Sequence, residues 1–186
     1  MGEDEQLMAL VAGGDWTALE RLLVRHEGPL LGFFYRVGCD PSSVAELVQS
    51  VMIRLYEERH RYDRGRPFAP WLYGIARNVW SDHRRRAGRN RVDPVGDALD
   101  GMPSGTPDPA ERLEQLEEAD WVRRAVQRLP EDQRLALVLR HWQGLTYDEI
   151  AETLGVPLGT VKWRLHDAMR KLGEWLPIGR PRRPRG

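Results

Sequence analysis

Hydrophobic residues recur at intervals of three and four along most of this chain, a spacing that predicts amphipathic α-helices. Short runs of glycine, proline and aspartate divide the N-terminal half into four such segments. Two further helices are expected from Ala110 to Leu129 and from Pro130 onward, and a closely spaced pair follows between residues 144 and 172. The pattern therefore predicts an all-α protein.

One face of each helix is expected to be buried. Asp4 is expected to start the first helix and Asp15 to cap the second. Pro29 falls inside the second helix and removes a backbone hydrogen bond, so a kink or a division is expected there. The residues assigned to the inward faces before residue 144 include Leu7, Leu10, Val11, Trp16, Leu19, Leu22, Leu23, Leu30, Leu31, Phe34, Val44, Leu47, Val48, Val51, Met52, Leu55, Phe68, Trp71, Leu72, Ile75, Ala76, Val79, Trp80, Leu135, Val138, Leu139 and Trp142.

The pair of helices near the C-terminus carries the clearest local signals. Thr146 and Glu149 have the spacing of a capping box, in which each side chain accepts a hydrogen bond from the other residue's backbone N–H. Gly155 suits the turn, and Pro157 suits the first turn of the next helix. Two short helices joined in this way commonly place the second helix in the major groove of DNA. An ordinary helical hairpin is the alternative.

A second segment has the composition of a surface for single-stranded nucleic acid. The loop from His60 to Pro67 and the helix from Phe68 to Arg86 interleave arginines with tyrosine, phenylalanine and tryptophan. Guanidinium groups bind phosphates, while aromatic rings stack on bases. The alternative is that Trp71 and Trp80 are core residues and the arginines form a solvated helix end.

Charge is unevenly distributed although the chain has no net charge. Residues 1–60 carry 5 basic and 10 acidic side chains, 61–92 carry 9 and 2, 93–120 carry 1 and 9, and 121–186 carry 13 and 7. Because two basic regions are separated by an acidic one, the charge pattern favours two separate contacts with a polyanion.

Other features exclude several classes of function. Cys39 is the only cysteine, so no intramolecular disulfide can form, and it is expected to be a small buried hydrophobe. The sequence contains no run of about eighteen apolar residues, and its N-terminus is acidic where a secretory signal would be basic. A soluble, cytoplasmic protein is expected. No glycine-rich phosphate loop, metal-binding histidine pair or nucleophile motif occurs, so no enzymatic activity, cofactor, metal or small-molecule substrate is expected.

Two motifs in a fixed order resemble a known family. The segments Glu46–Tyr56 and Phe68–Asn78, which read ELVQSVMIRLY and FAPWLYGIARN, resemble region 2 of bacterial sigma factors. The segments Leu129–Arg134, Gly144–Ala151 and Gly159–Leu165, which read LPEDQR, GLTYDEIA and GTVKWRL, resemble region 4. Together they resemble the extracytoplasmic-function (ECF) group of the sigma-70 family.

This resemblance implies a division of the chain into domains. Residues 1–88 would form region 2, which binds core RNA polymerase and recognises and melts the promoter −10 element. Residues 89–109 are rich in proline, glycine and aspartate and would be a flexible acidic linker. Residues 110–177 would form region 4, which recognises the −35 element, and 178–186 would be a disordered basic tail.

The resemblance also implies partners and site residues. The partners would be core RNA polymerase, through a coiled coil of its β′ subunit and its β flap, promoter DNA and an anti-sigma protein. The polymerase-binding residues would be Glu46, Leu47, Gln49 and Arg54. The −10 contacts would be Arg61, Tyr62, Asp63, Arg64, Trp71, Asn78, His83, Arg84 and Arg85. The −35 contacts would be Thr160, Lys162, Trp163, Arg164, His166, Asp167 and Arg170.

Two residues depart from the family pattern. Trp163 stands where a small residue is frequent, and Asp167 stands where a basic residue is frequent. Trp163 could pack on a sugar or a thymine methyl group, or shield the core; Asp167 would repel phosphate but could accept a hydrogen bond from cytosine. The main rival function is a self-sufficient transcriptional regulator that uses the helix pair alone, and a nucleic-acid enzyme is a third possibility.

Overall fold

The computed structural model describes residues 2–87 and 121–176, and every regular element within them is helical. The all-α prediction is confirmed. The predicted linker and basic tail lie outside the described residues. The helices form an N-terminal and a C-terminal bundle. The N-terminal bundle contains α1 (Glu3–Ala12), α2 (Trp16–Val37), α3 (Pro41–Glu57), a 3₁₀ turn (Arg59–Arg61) and α4 (Phe68–Ala87). The C-terminal bundle contains α5, described over 121–128, α6 (Glu131–His141), α7 (Tyr147–Leu154) and α8 (Leu158–Trp175).

Side-chain caps start two helices of the N-terminal bundle. Asp15 Oδ1 accepts from the backbone N–H groups of Thr17 at 2.9 Å and Ala18 at 3.1 Å, as expected. Asp40 caps α3 in the same way, with Ser42 N at 2.8 Å. These bonds satisfy backbone donors that have no partner within the helix.

Two expectations for this bundle are wrong. α1 begins at Glu3 rather than at a cap formed by Asp4, and Asp4 instead contacts His26 Nε2 on α2 at 3.0 Å. For α2, the division expected at Pro29 is wrong, since the helix continues through that residue to Val37; the kink expected as the alternative stays a prediction. Pro29 is exposed, so water can bond the carbonyl group that lacks its helical donor.

The core of the N-terminal bundle is built on Phe33, Phe34 and Phe68, all at most 1% exposed. Several residues assigned to inward faces lie instead at the surface: Leu10, Trp16, Leu23, Leu31 and, in the C-terminal bundle, Trp142. Met8 and Phe33, which the pattern did not assign to the core, are fully buried. Neighbouring residues on a helix differ by about 100° in direction, so the packing partner decides which side of an apolar stripe is covered.

The C-terminal pair of helices has the geometry that its local signals predict. Thr146 Oγ1 accepts from Glu149 N at 3.3 Å, and Glu149 Oε2 accepts from Thr146 N at 2.7 Å, which confirms the capping box. Gly155 ends α7 with a left-handed φ of 65°. The residues predicted to face the core from α8 are all buried, and they are Val161, Leu165, Ala168 and Leu172.

The two bundles pack against each other, with α4 against α7 and α2 against α6. The Tyr73 hydroxyl, which lies on a buried part of α4, donates to Gln143 Oε1 beyond the end of α6. The guanidinium of Arg36 on α2 lies 5.1 Å from the ring centroid of Trp142. These contacts place the arginine-rich N-terminal segment beside the predicted DNA-reading pair.

Candidate nucleic-acid and polymerase surfaces

The arginine- and aromatic-rich segment lines a cleft of about 420 Å³ that lies between the loop after α3, the side of α4 and the C-terminal end of α7. Trp71, Gly74 and Asn78 line it from α4, and Arg61 and Arg66 line it from the loop. The cleft has an aromatic base and cationic edges, and its volume falls within the range of small-ligand sites. It is therefore suited to hold an unstacked nucleotide base.

The base of the cleft is formed by Tyr62 and Trp71, whose rings contact each other. The Tyr62 hydroxyl donates to Arg66 O at 2.6 Å, and its ring lies 5.1 Å from that of Trp71. Burial, with help from nearby Glu5 and Asp63, raises the pKa of Tyr62 to about 12. Tyr62 is 8% exposed, so in this conformation it shapes the loop and presents little of its ring for stacking on a base.

The rim of the cleft is polar and accessible. Arg61, Asp63, Arg64 and Asn78 are exposed, as a nucleic-acid contact requires. Asp63 Oδ1 accepts from Gly65 N at 2.9 Å, which fixes the turn that carries the arginines. Trp71 is half-buried and lines the cleft, so it is both a packing residue and an accessible ring, whereas Trp80 is a core residue at 2% exposure.

The basic end of α4 is largely paired within the chain. Arg84 forms an ion pair with Glu131 of α6 and lies over the ring of Trp80, and Arg85 forms an ion pair with Asp82. His83 is half-buried. These three predicted −10 residues therefore lie together on one helix, but two of them bind carboxylates in this conformation.

The outer face of α3 is the candidate protein-docking surface. Glu46 and Gln49 are exposed on it, whereas Leu47 is 5% exposed and packs inward, so Leu47 offers little surface for a direct contact in this conformation. Leu47 satisfies the apolar repeat of the helix, which already placed it in the core. Arg54 Nη2 bonds Asp82 Oδ2 of α4 at 2.7 Å, and this bond, followed by that from Arg85, lowers the pKa of Asp82.

This surface also has an apolar part that was not predicted from the sequence. Ile53 is 60% exposed on α3, and Trp16, 63% exposed, stacks on Tyr56 with a centroid distance of 4.5 Å. Ile53 follows Gln49 by four residues and Glu46 by seven, so its position on the same face could have been found from the helical period. The stack of Trp16 could not, because it depends on how α2 packs against α3.

The outer face of α8 carries the predicted groove-reading residues. Lys162, Trp163, His166 and Arg170 are exposed along it, and Thr160 is half-buried near its start. Trp163 is 61% exposed and does not shield the core, so the second of its two proposed roles is wrong. A cationic and aromatic helix face of this kind can enter a major groove.

Two predicted −35 residues are turned toward the domain instead. Arg164 has a side chain 17% exposed and bonds Asp132 of α6 at 2.8 Å. Asp167, also 17% exposed, accepts from Arg170 at 2.7 Å and from buried Gln133 at 2.8 Å, and it lies 3.0 Å from Lys171. The bond from Arg170, followed by that from Lys171, lowers the pKa of Asp167 to about 2.

This geometry changes the role expected of Asp167. Its carboxylate is held by three partners within the domain, so the hypothesis that it reads a cytosine lacks support in this conformation. It orients Arg170 toward the exposed face of α8, because a charge-assisted bond restricts the guanidinium. The acidic departure from the family pattern thus has a structural explanation.

Comparison with known proteins shows the family to which the chain belongs. The family model "Sigma-70 region 2" matches residues 22–90, and the model "Sigma-70, region 4" matches residues 119–172. The ECF RNA polymerase sigma factor RpoE of Cereibacter sphaeroides is 33% identical over 172 residues, which cover 85% of this chain and 93% of that protein. The chain belongs to the ECF sigma factors of the sigma-70 family.

Two other similarities bear on this sigma factor. The ECF RNA polymerase sigma factor SigE of Mycolicibacterium smegmatis is 32% identical over 168 residues; the match covers 89% of this chain but only 65% of that protein. The solved structure of CnrH in complex with the cytosolic domain of CnrY has a TM-score of 0.71 at 25% identity, and the match covers 95% of this chain and 99% of CnrH.

The same residues lack two other kinds of feature. Within 2–87 and 121–176, no group of three or more histidine, cysteine, aspartate or glutamate side chains could hold a metal ion. In that part of the chain, no helix is both long and apolar enough to cross a membrane. Cys39 is buried, as expected, and burial raises the pKa of its thiol to about 12.

Proposed function

We propose that this sigma factor binds core RNA polymerase in the cytoplasm and directs it to promoters by contacting the −10 and −35 elements. The observation that carries the proposal is the presence of two different nucleic-acid surfaces on two bundles of one chain. One is a cleft with an aromatic base, and the other is an exposed face of the second helix in a helix-turn-helix. A duplex-binding regulator needs only the second.

The cleft of region 2 is the proposed site for the melted −10 strand. Extruding a base from a duplex costs a few kcal/mol, which stacking and hydrogen bonds must offset. Trp71 offers an accessible ring for stacking, and the Asn78 amide can both donate and accept hydrogen bonds. Arg61 and Arg64 supply positive charges that can bind the phosphates. Tyr62 supports the site from below.

The exposed face of α8 is the proposed −35 reader. Lys162 is exposed on this face, where guanine edges or phosphates would lie, and Arg170 is exposed beside it while paired with Asp167 and Glu174. Trp163 adds a large apolar surface that suits a sugar or a thymine methyl group. We propose Arg164 and Asp167 as residues that position this helix rather than as direct readers.

The outer face of α3 is the proposed polymerase-docking surface, with the β′ coiled coil as partner. Glu46 and Gln49 supply polar contacts, and Ile53, together with the stacked Trp16 and Tyr56, supplies an apolar patch beside them. Interfaces commonly centre on such exposed aromatic and aliphatic residues. We propose a second polymerase contact, between region 4 and the β flap.

An anti-sigma protein is the proposed regulator. CnrH, whose fold is similar, is solved in complex with the cytosolic domain of another protein. In this chain the two regions already contact each other through α4 and α7, so a protein that binds both could keep the −10 cleft covered.

In vitro transcription with purified core polymerase on fragments of bacterial genomic DNA, followed by mapping of start sites, tests the proposal. The expected result is a set of starts that require this protein and share upstream sequence elements. Tight sequence-specific binding to duplex DNA by the protein alone, without an effect on core polymerase, would instead support a self-sufficient regulator. Cleavage or modification of the DNA would indicate an enzyme.

A further inference from the structure

Region 4 forms one wall of the region 2 cleft. Glu152 and Thr153, at the C-terminal end of α7, line the cleft opposite Trp71 and Asn78. The Glu152 carboxylate forms an ion pair with Arg66, a cation at the edge of the cleft. A negatively charged group of the chain itself therefore occupies a position where the phosphate of a bound strand would meet a guanidinium group.

Backbone contacts hold α7 in this place. Thr153 Oγ1 donates to Pro70 O on α4 at 3.3 Å. Arg77 Nη1 donates to Leu154 O at 2.9 Å and to Thr153 O at 3.3 Å. These carbonyls are at the end of α7, where the helix offers no further backbone donor and carries a partial negative charge. Arg77 of region 2 thus acts as a C-terminal cap for a helix of region 4.

Further contacts extend the closed interface away from the cleft. Arg84 pairs with Glu131, and Tyr73 donates to Gln143. Both involve residues of α4, the helix that lines the cleft and ends in the basic cluster. Closure therefore engages two cations of the proposed −10 surface, Arg66 at the edge of the cleft and Arg84 near its basic end, with carboxylates of region 4.

We propose that this closed form is autoinhibited, with Glu152 acting as an internal competitor for the single strand of the −10 element. The inference rests on the proposed function of the cleft. A strand enters only when α7 withdraws, because Glu152 and Thr153 occupy one side of the cleft. In addition, Arg66 cannot form a full ion pair with the Glu152 carboxylate and with a strand phosphate at the same time. The apparent association constant for the strand equals that of the open form multiplied by the fraction of molecules that are open.

Two other surfaces remain available in the closed form. Glu46 and Gln49 on α3, and Lys162 and Trp163 on α8, are exposed. Polymerase docking on α3 and duplex contact by α8 are therefore compatible with closure, whereas strand capture is not. Opening is then a step between docking and promoter melting, and it delays melting until polymerase is present.

The first experiment measures binding of the full-length protein, without polymerase, to a fluorescein-labelled pool of ten-nucleotide single strands of random sequence. Glu152→Gln removes the competing charge, and we expect binding about two- to fivefold tighter, the size set by one exposed ion pair. The matched control is Asp148→Asn, which removes the same charge from an exposed position one turn earlier on α7. Asp148→Asn should match the wild type at about 0.15 M salt, where distant charges are screened.

The second experiment locks the closed form. In a Cys39→Ala background, Arg66→Cys and Glu152→Cys are joined by a short bismaleimide, and the product is compared with the same double variant alkylated singly at both cysteines. The comparison cancels the loss of Arg66 itself. We expect the joined form to bind the strand pool at least tenfold more weakly than the alkylated form.

Equal affinities of the joined and alkylated forms, or equal effects of Glu152→Gln and Asp148→Asn, would overturn autoinhibition. Transcription by the wild-type protein with core polymerase is measured in parallel, so failure of the proposed function shows itself separately. A wild type that directs transcription while both binding tests fail would leave a sigma factor without this internal competitor.

Discussion

Gly155, at the turn between α7 and α8, allows a prediction whose sign and size follow from backbone geometry. Its φ of 65° lies in the left-handed region, and a Cβ built there would meet only its own local backbone. Alanine at this position therefore introduces conformational strain without a steric clash. Left-handed backbone costs a residue with a side chain about 1–2 kcal/mol.

The unfolded chain offsets part of that cost. Replacing glycine with alanine restricts the unfolded ensemble and returns about 0.4–1 kcal/mol of stability. The net expectation for Gly155→Ala is a loss of about 0–1.6 kcal/mol. Gly155→Asn should cost less, because asparagine enters the left-handed region more readily.

Gly173 provides a matched control with the opposite sign. It is exposed within α8, has no left-handed φ, and a Cβ there also meets only local backbone. Gly173→Ala should therefore raise the free energy of unfolding by about 0.5–1 kcal/mol, the difference in helix propensity. The free energies of unfolding of the two alanine variants should therefore differ by about 0.5–2.6 kcal/mol.

Urea unfolding followed by far-ultraviolet circular dichroism measures both changes as shifts of the midpoint at constant slope. The reasoning fails if Gly155→Ala raises the midpoint, or if both alanine variants move it in the same direction. A change in slope would show that the denatured state had changed as well.

Four further outcomes are expected. Lys162→Ala should weaken binding to a −35 duplex and reduce the slope of log K against log salt by about 1, which a salt titration measures; an unchanged slope removes Lys162 from the phosphate contacts. Because folding lowers the pKa of Asp167 from its usual 3.8 to about 2, this carboxylate should stabilise the fold above pH 3.8 and cease to do so as pH falls through about 2. In thermal melts, the melting temperature of Asp167→Asn should fall less steeply with falling pH than that of the wild type. An equally steep fall in the variant would contradict the lowered pKa of Asp167. Ile53→Asp should weaken binding to core polymerase at least tenfold in a pull-down titration while leaving strand binding unchanged, and equal affinity would exclude Ile53 from the docking face. Cys39 should react with a thiol reagent at pH 8 only after unfolding, because burial raises the pKa of its thiol to about 12; rapid labelling of the native protein would refute its burial.

The features that could be predicted from the sequence are those that depend on neighbouring residues. The capping box of Thr146 and Glu149, the left-handed Gly155 and the cap by Asp15 each require only a few adjacent groups in the right order. The apolar period of α8 was also sufficient to identify its buried face. Local chemistry of this kind is nearly independent of how the helices later pack.

The predictions that proved wrong concern side chains whose contacts are determined by residues on another helix. Asp4 was expected to cap a helix, but His26 and Arg25 of α2 lie beside it and offer stronger partners. Asp167 and Arg164 fall near the outer face of α8 by spacing, yet Gln133 and Asp132 of α6 draw both inward. Spacing gives the direction in which a side chain leaves the helix but not the charges that it meets.

The sequence by itself determined the helices, the helix-turn-helix and the two basic segments, because periodicity, caps and charge runs are written in neighbouring residues. Only the tertiary structure decided that α7 lies along the cleft, that Arg77 caps α7 and that Glu152 forms an ion pair with Arg66. These residues are more than seventy positions apart in the chain. Their contact depends on the sum of many weak surface interactions, which no local pattern of residues records.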